Sequence, residues 1–136
     1  MIKIRAYQEQ DYPKLKELLT GAGLFDATWE SEDNLKKMRS VLAVDEEKIV
    51  GNVFVVPYGA TVVIIFRLAV AVDYRNQGIA TMLLDYVTDM VKKEGVKEIG
   101  LFVDNDKQDL HKFYAKRGFN SSTTESEFVV MWKPLT

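Results

Sequence analysis

Arg75, Asn76, Gln77, Gly78, Ile79, Ala80 and Thr81 stand between a continuous apolar run, Val62 to Val72, and a helical pattern that begins near Gln77. The order reads as strand, tight turn and helix start. A helix N-terminus leaves several N–H groups without partners, and its dipole adds partial positive charge there. Anions bind at such ends. Gly78 lets the main chain approach a ligand with no Cβ in the way, Ala80 and Thr81 keep the next half-turn slim, and Arg75 places a cation at the mouth. An ordinary turn eased by Gly78, with Arg75 solvated, would use the same residues. Neither a Gly-rich loop ending in Lys-Ser/Thr nor three spaced glycines of a dinucleotide fingerprint is present.

The composition removes other chemistries. With no cysteine, disulfides, thiolate metal sites and a cysteine nucleophile are excluded. The single histidine, His111, rules out a multi-histidine metal centre and is ordinarily a packed or solvated residue, so no metal is expected. Lys and Arg number 18 against 20 Asp and Glu, a formal charge of -2 that argues against a nucleic-acid footprint, with a local basic excess only between Lys92 and Arg117. No stretch approaches the ~20 apolar residues of a membrane span, and Met1 to Tyr7 lacks the apolar core of a signal peptide. A soluble cytoplasmic protein with no membrane partner is the expectation.

The elements that must hold the heptad follow from periodicity. Ile2, Ile4 and Ala6 alternate with polar neighbours as a half-buried strand does. Asp11 offers an N-cap and Pro13 a first turn for a helix with Leu15, Leu18, Leu19 and Ala22 on one face, ended by Gly21 and Gly23. A second short helix, capped by Ser31, shows only Leu35 and Met38 as a thin apolar face, so it should lie on the surface. Val41 to Val44 and Ile49 to Val56 read as a hairpin, and Thr61 to Val72 as a central strand apolar on both faces apart from Arg67. The next helix is the clearest: Ile79, Met82, Leu83, Tyr86, Val87, Met90 and Val91 follow the i, i+3, i+4 rule. Ile99 to Val103 is a strand, Lys107 to Lys116 a helix with Leu110, Phe113 and Tyr114 on one side, and Phe128 to Trp132 a last strand, apolar on both sides. The 136 residues suit one α/β domain, 1–136, with a mixed sheet and helices on both faces. The heptad then falls at the carboxyl end of a central strand, where such sheets bind ligands.

Phe66-Arg67-Leu68-Ala69-Val70, Asp73 to Ala80, Leu83-Leu84 and Phe113-Tyr114-Ala115-Lys116-Arg117-Gly118-Phe119 together resemble the GNAT superfamily of acyl-CoA-dependent N-acetyltransferases. They match its apolar strand, its Arg/Gln-x-x-Gly-x-Gly/Ala turn and its Tyr-x-x-x-Gly-Phe segment, in order and at the family's separation. The resemblance implies a mostly antiparallel mixed sheet splayed at its central strands. It also implies acetyl-CoA as cosubstrate, with its pyrophosphate on the backbone from Asn76 to Thr81 beside Arg75, and its pantetheine pairing with Leu68, Ala69 and Val70 in the splay. A backbone N–H near Val70 would polarise the thioester carbonyl, a donor of a kind able to supply ~3 kcal/mol in the transition state. Tyr114 would protonate the departing thiolate, its ordinary pKa of ~10 keeping the phenol protonated at neutral pH. Packing beside Leu110 and Phe113 is the alternative role.

Three departures from the family pattern stand out. Val72 replaces a frequent Pro, Ile64 replaces a glutamate base found in some members, and Lys107 replaces an Asn that holds the pantetheine, leaving Asn105 as the substitute. An amine of pKa ~10.4 is mostly protonated at pH 7. Glu30 or Asp26, acting through water, is the candidate base, with helix capping as the competing role for this acidic segment. The implied reaction is direct acetyl transfer to a primary amine of a small molecule or peptide. The alternative is a catalytically silent acyl-CoA sensor or docking module. The strand at Phe128 to Trp132 could be buried within one subunit or pair across a homodimer.

Overall fold

The computed structural model describes residues 1–26, 31–122 and 128–135. Its elements are β1 (Ile2–Ala6), α1 (Tyr12–Gly21), α2 (Glu32–Lys37), β2 (Arg39–Asp45), β3 (Lys48–Pro57), β4 (Val62–Val70), α3 (Ile79–Lys93), β5 (Glu98–Asp104), α4 (Gln108–Ala115), β6 (Asn120–Ser121) and β7 (Phe128–Pro134). The strands form one seven-stranded sheet in the order β1-β2-β3-β4-β5-β7-β6. Every neighbouring pair is antiparallel except β4 and β5, which run parallel. This is the mixed sheet expected from periodicity, and mostly antiparallel as the family resemblance implied.

Alternation along β2 and β3 divides the core into two layers. Val41, Val53 and Val55 face α3, meeting Leu83, Val87 and Val91, whereas Leu42 and Phe54 face α1 and α2, meeting Leu15, Leu19 and Leu35. Helices therefore cover both faces. The α3 stripe is rotated from its expected position: Leu84 is buried, while Met82 and Tyr86 stand 38% and 39% exposed. The i, i+3, i+4 rule fixes a stripe's width better than its centre, because Leu84 and Met82 are each within one step of the same spine. Ser31 caps α2 as expected, accepting from the Asn34 N–H at 3.3 Å. Its thin apolar face is nevertheless anchored, since Leu35 is 1% exposed.

Asp11 does not cap α1. It is 5% exposed within a single 3-10 turn, Glu9–Asp11, where it accepts the Gln8 N–H at 2.7 Å and both terminal nitrogens of Arg5 at 2.7 and 2.8 Å. A two-pronged guanidinium on β1 outcompetes a lone helical N–H for the same carboxylate. In the last strand, β7 pairs with β5 along its length and with β6 at Met131 and Trp132, so it lies inside the sheet of this chain. The two-residue β6, too short for periodicity to reveal, forms the edge instead.

Candidate active site

The site begins with an irregularity in β4. Phe54 opposes Phe66 and Asn52 opposes Ala69, so β4 carries one residue more than β3 between these pairs. The excess is taken up at Arg67, whose φ of 55° lies in the left-handed region. Such a bulge bends and twists its strand. It is held from the sheet interior: Asn52 Nδ2 donates to the Arg67 carbonyl at 3.2 Å, and Asn52 Oδ1 accepts from Ser40 Oγ at 2.5 Å. Asn52 is 0% and Ser40 5% exposed. Neither residue was singled out in the sequence, where Ser40 falls just before the expected strand Val41 to Val44 and Asn52 lies within Ile49 to Val56.

The bend takes effect one step along. β4 pairs with β5 only from Val62 to Ile64, opposite Glu98 to Gly100. At that last pair Trp132 lies across Gly100, where a Cβ would sit 2.7 Å from Trp132 Cε3 and 2.9 Å from Ile64 Cδ1. Beyond it β4 stays with β3 up to Val70, and β5 stays with β7 up to Asp104. The two parallel strands thus separate into a wedge. β4, expected to be buried on both faces to Val72, ends at Val70 and is buried only at Val63, Ile65 and Ala69; past the split, Phe66, Leu68 and Val70 are partly exposed where the second neighbour is lost.

A cleft of about 610 Å³ continues from the wedge. Leu68 and Val70 form one side, Tyr74, Arg75, Asn76 and Gly78 to Thr81 its end, and Leu110, Phe113, Tyr114 and Arg117 the wall opposite. The end is built by backbone. Asn76 has φ 63° and Gly78 φ 80°, so the chain makes a tight turn into α3, and no side chain caps that helix. The first amide bonded along the helix is Met82, donating to the Gly78 carbonyl at 3.0 Å, which leaves the Ile79, Ala80 and Thr81 N–H groups as helix-end donors. Gly51 on β3 lets this first turn sit close to the sheet, since a Cβ there would lie 3.1 Å from Leu83 Cδ1 and 3.2 Å from Ile79 Cγ2.

Most of the residues singled out in the sequence meet here. Arg75 is exposed at the rim, its Nε donating to the Val70 carbonyl at 3.2 Å. Tyr114 is 8% exposed, edge-on to Phe113 and Phe119, and burial pushes its phenol up to about 12. Among the described residues, no hydrogen-bond partner meets that hydroxyl. Three others lie off the cleft. Ala69 is buried in the opposite core layer, Gln77 Nε2 donates to the Asp73 carbonyl at 3.5 Å, and Asn105 is exposed in the turn before α4, its carbonyl accepting from Gln108 Nε2 at 2.7 Å. Lys107 is likewise at the turn, its carbonyl accepting the Leu110 and His111 N–H groups. His111 Nε2 lies 2.9 Å from the Asp104 carbonyl, a local tie. Of the candidate bases, Asp26 is exposed and Glu30 lies outside the described residues.

Arg117 also lines the cleft, and the sequence assigned it no role. Its guanidinium stacks 3.8 Å from the Phe113 ring centroid and reaches Thr81, a partner far away in the chain that no local pattern could reveal. Among the described residues no group of three His, Cys, Asp or Glu could hold a metal, and no helix is long and apolar enough to cross a membrane.

Comparison with known proteins agrees with this fold. The family described as acetyltransferase (GNAT) matches residues 3–119. N-alpha-acetyltransferase 30 of Schizosaccharomyces pombe is 36% identical over 84 residues, 59% of this chain and 56% of that protein. The chain thus spans about half the length of this curated relative. Among solved structures, the PaiA N-acetyltransferase of Thermoplasma acidophilum in complex with coenzyme A is similar at a TM-score of 0.87 and 21% identity, over 98% of this chain and 99% of that one. The ribosomal-protein-S18-alanine N-acetyltransferase of Escherichia coli is similar at 0.86 and 20% identity, over 100% and 95%. At these identities the structural likeness establishes the fold.

Proposed function

The chain belongs to the GNAT acetyltransferase family, and from that premise we propose that it transfers an acetyl group from acetyl-CoA directly to a primary amine of a small molecule or peptide. The observation that carries this reading is the convergence of a strand wedge, a run of helix-end donors and a buried phenol on one cleft. The residues suit the cosubstrate part by part. The Ile79, Ala80 and Thr81 amides, with Arg75, offer donors and positive charge to a diphosphate. The free edge of β4 at Leu68 and Val70 offers main-chain groups to the amide-bearing pantetheine arm. Leu110, 45% exposed, offers apolar cover for its methylenes.

Chemistry follows from what the walls present. The acceptor nitrogen attacks the thioester carbonyl, a backbone N–H of β4 near Val70 bonds the oxygen as it gains charge, and the C–S bond breaks. Tyr114 gives its proton to the leaving sulfur, and the proton that the acceptor nitrogen, neutral when it attacks, sheds as the C–N bond forms passes through solvent and restores the phenol. A phenol raised to about 12 is a weaker acid than a free one. The same burial raises the thiol it protonates, because desolvation disfavours both anions. Absence of cysteine supports direct transfer over a cysteinyl acyl-enzyme. Similarity to N-alpha-acetyltransferase 30 favours an α-amino group as acceptor.

Thiol release from acetyl-CoA, followed with a panel of simple amines and short peptides, tests the proposal. Amine-dependent release is expected. Saturable binding of coenzyme A with no release above background across the panel would replace it with the sensor reading.

A further inference from the structure

We propose that Arg117 is a second cation for the diphosphate of coenzyme A and that it fixes the Thr81 hydroxyl as a donor to the same group; this rests on the coenzyme A reading above. Arg117 follows α4, yet its guanidinium is bonded to the first turn of α3. Nε and Nη2 both donate to Thr81 Oγ, at 3.1 and 2.5 Å, and Nη1 donates to the Phe113 carbonyl at 2.9 Å. With the Phe113 ring stacked at 3.8 Å, the group is held on several sides. A guanidinium has five N–H groups. Three are occupied here, leaving one on each terminal nitrogen.

Two features of this arrangement suit an anion better than packing. First, an arginine beside the N-terminal turn of α3 opposes that helix's dipole; the carbonyl end of α4, reached through Phe113, offsets it in part, and among the described residues no carboxylate pairs with Arg117. Like charges are gathered at one end of the cleft, a placement balanced when a negative group enters. Second, a hydroxyl oxygen has two lone pairs and one hydrogen. Thr81 Oγ already accepts two N–H groups, so what it has left to offer is its O–H. Arg117 and Thr81 therefore present only donors to the cleft they both line, beside the donor-only amides of Ile79, Ala80 and Thr81. A diphosphate, which at neutral pH offers acceptor oxygens and no donors, is the complementary part of the ligand. The 3′-phosphate shares that chemistry, but Thr81 belongs to the amide cradle itself, which favours the diphosphate.

Titration calorimetry with coenzyme A, dephospho-coenzyme A and pantetheine tests this on the wild-type chain and on Arg117→Gln, Arg117→Lys and Thr81→Val. Arg117→Gln should weaken coenzyme A and its dephospho form alike, by about tenfold or more, the size of a charge-assisted hydrogen bond. Pantetheine binding should not change. Arg117→Lys should fall between, because charge survives while the fork is lost. Thr81→Val should weaken the same two ligands, and the double variant should lose less than the product of the single losses, since Arg117 acts partly through that hydroxyl. Unchanged binding in Arg117→Gln, a loss confined to coenzyme A over its dephospho form, or an equal loss for pantetheine would each overturn the inference. If the wild-type chain fails to bind coenzyme A, the parent reading falls and takes this one with it.

Discussion

Tyr114 shows how a side chain can be identified from its motif and still behave differently in place. Its spacing from Gly118-Phe119 marked it, but the role was argued from a phenol of ordinary acidity. Burial raises it to about 12. Because its charged form is the disfavoured one, Tyr114 should stay protonated across the whole working range. The pH-rate profile should then show no falling limb owed to this group below pH ~10. Tyr114→Phe should cut kcat by about 100-fold and leave coenzyme A affinity within about twofold. A matching loss of affinity would instead mark Tyr114 as a packing residue beside Phe113 and Phe119. At the rim, reversing Arg75 to Glu should weaken coenzyme A more than pantetheine, which lacks the diphosphate, and equal losses would contradict the cradle. Arg75 and Tyr114 were legible because each sits in a short, spaced pattern. Arg117 was not, since its significance lies in a contact with Thr81 that only folding creates.

Among the elements, β4 decides whether a cleft exists at all, and β4 is shaped by neighbours. Asn52 holds the Arg67 carbonyl at the bulge and takes the Ser40 hydroxyl, with both polar side chains buried. Asn52→Leu removes one partner and strands the others, so it should cost about 1–3 kcal/mol in urea unfolding and lower turnover in the folded fraction. Retained turnover at wild-type KM would show that the bulge persists without it. Gly100→Ala should also destabilise by about 1–3 kcal/mol, because the added methyl meets Trp132 and Ile64 where β4 and β5 part. The Arg5–Asp11 pair ties β1 to the turn before α1. The Arg5 hydrogen bonds hold Asp11 below the usual carboxylate range, so its contribution is complete above the unfolded value near ~3.9 and fades as pH falls through the lower, folded value. Asp11→Asn should therefore destabilise by about 1–2 kcal/mol at pH 7, a figure kept modest by the 36% exposure of Arg5, and the difference from wild type should shrink in acid. A difference that held constant down to pH 2 would sever that link.

For the molecule as a whole, binding that favours the folded chain should raise its melting temperature, by the equivalent of about 2.7 kcal/mol at a coenzyme A concentration of 100 Kd. A flat melting curve series against coenzyme A would undo the reading at this level. The sequence by itself determined a good deal. Periodicity of 2 and 3.6 gave the principal strands and helices, and the apolar run, glycine turn and helix start placed a set of uncapped helix-end amides at a strand's end, because local backbone sterics and hydrogen bonding are properties of neighbouring residues. What only the tertiary structure decided is non-local. The fourth and fifth strands part after Ile64, the last strand lies between two others of its own chain, Asp11 turns from capping to Arg5, and an arginine after one helix bonds the start of another. Each depends on groups distant in the chain, and their competition for space and hydrogen bonds is settled only when the whole sheet is assembled.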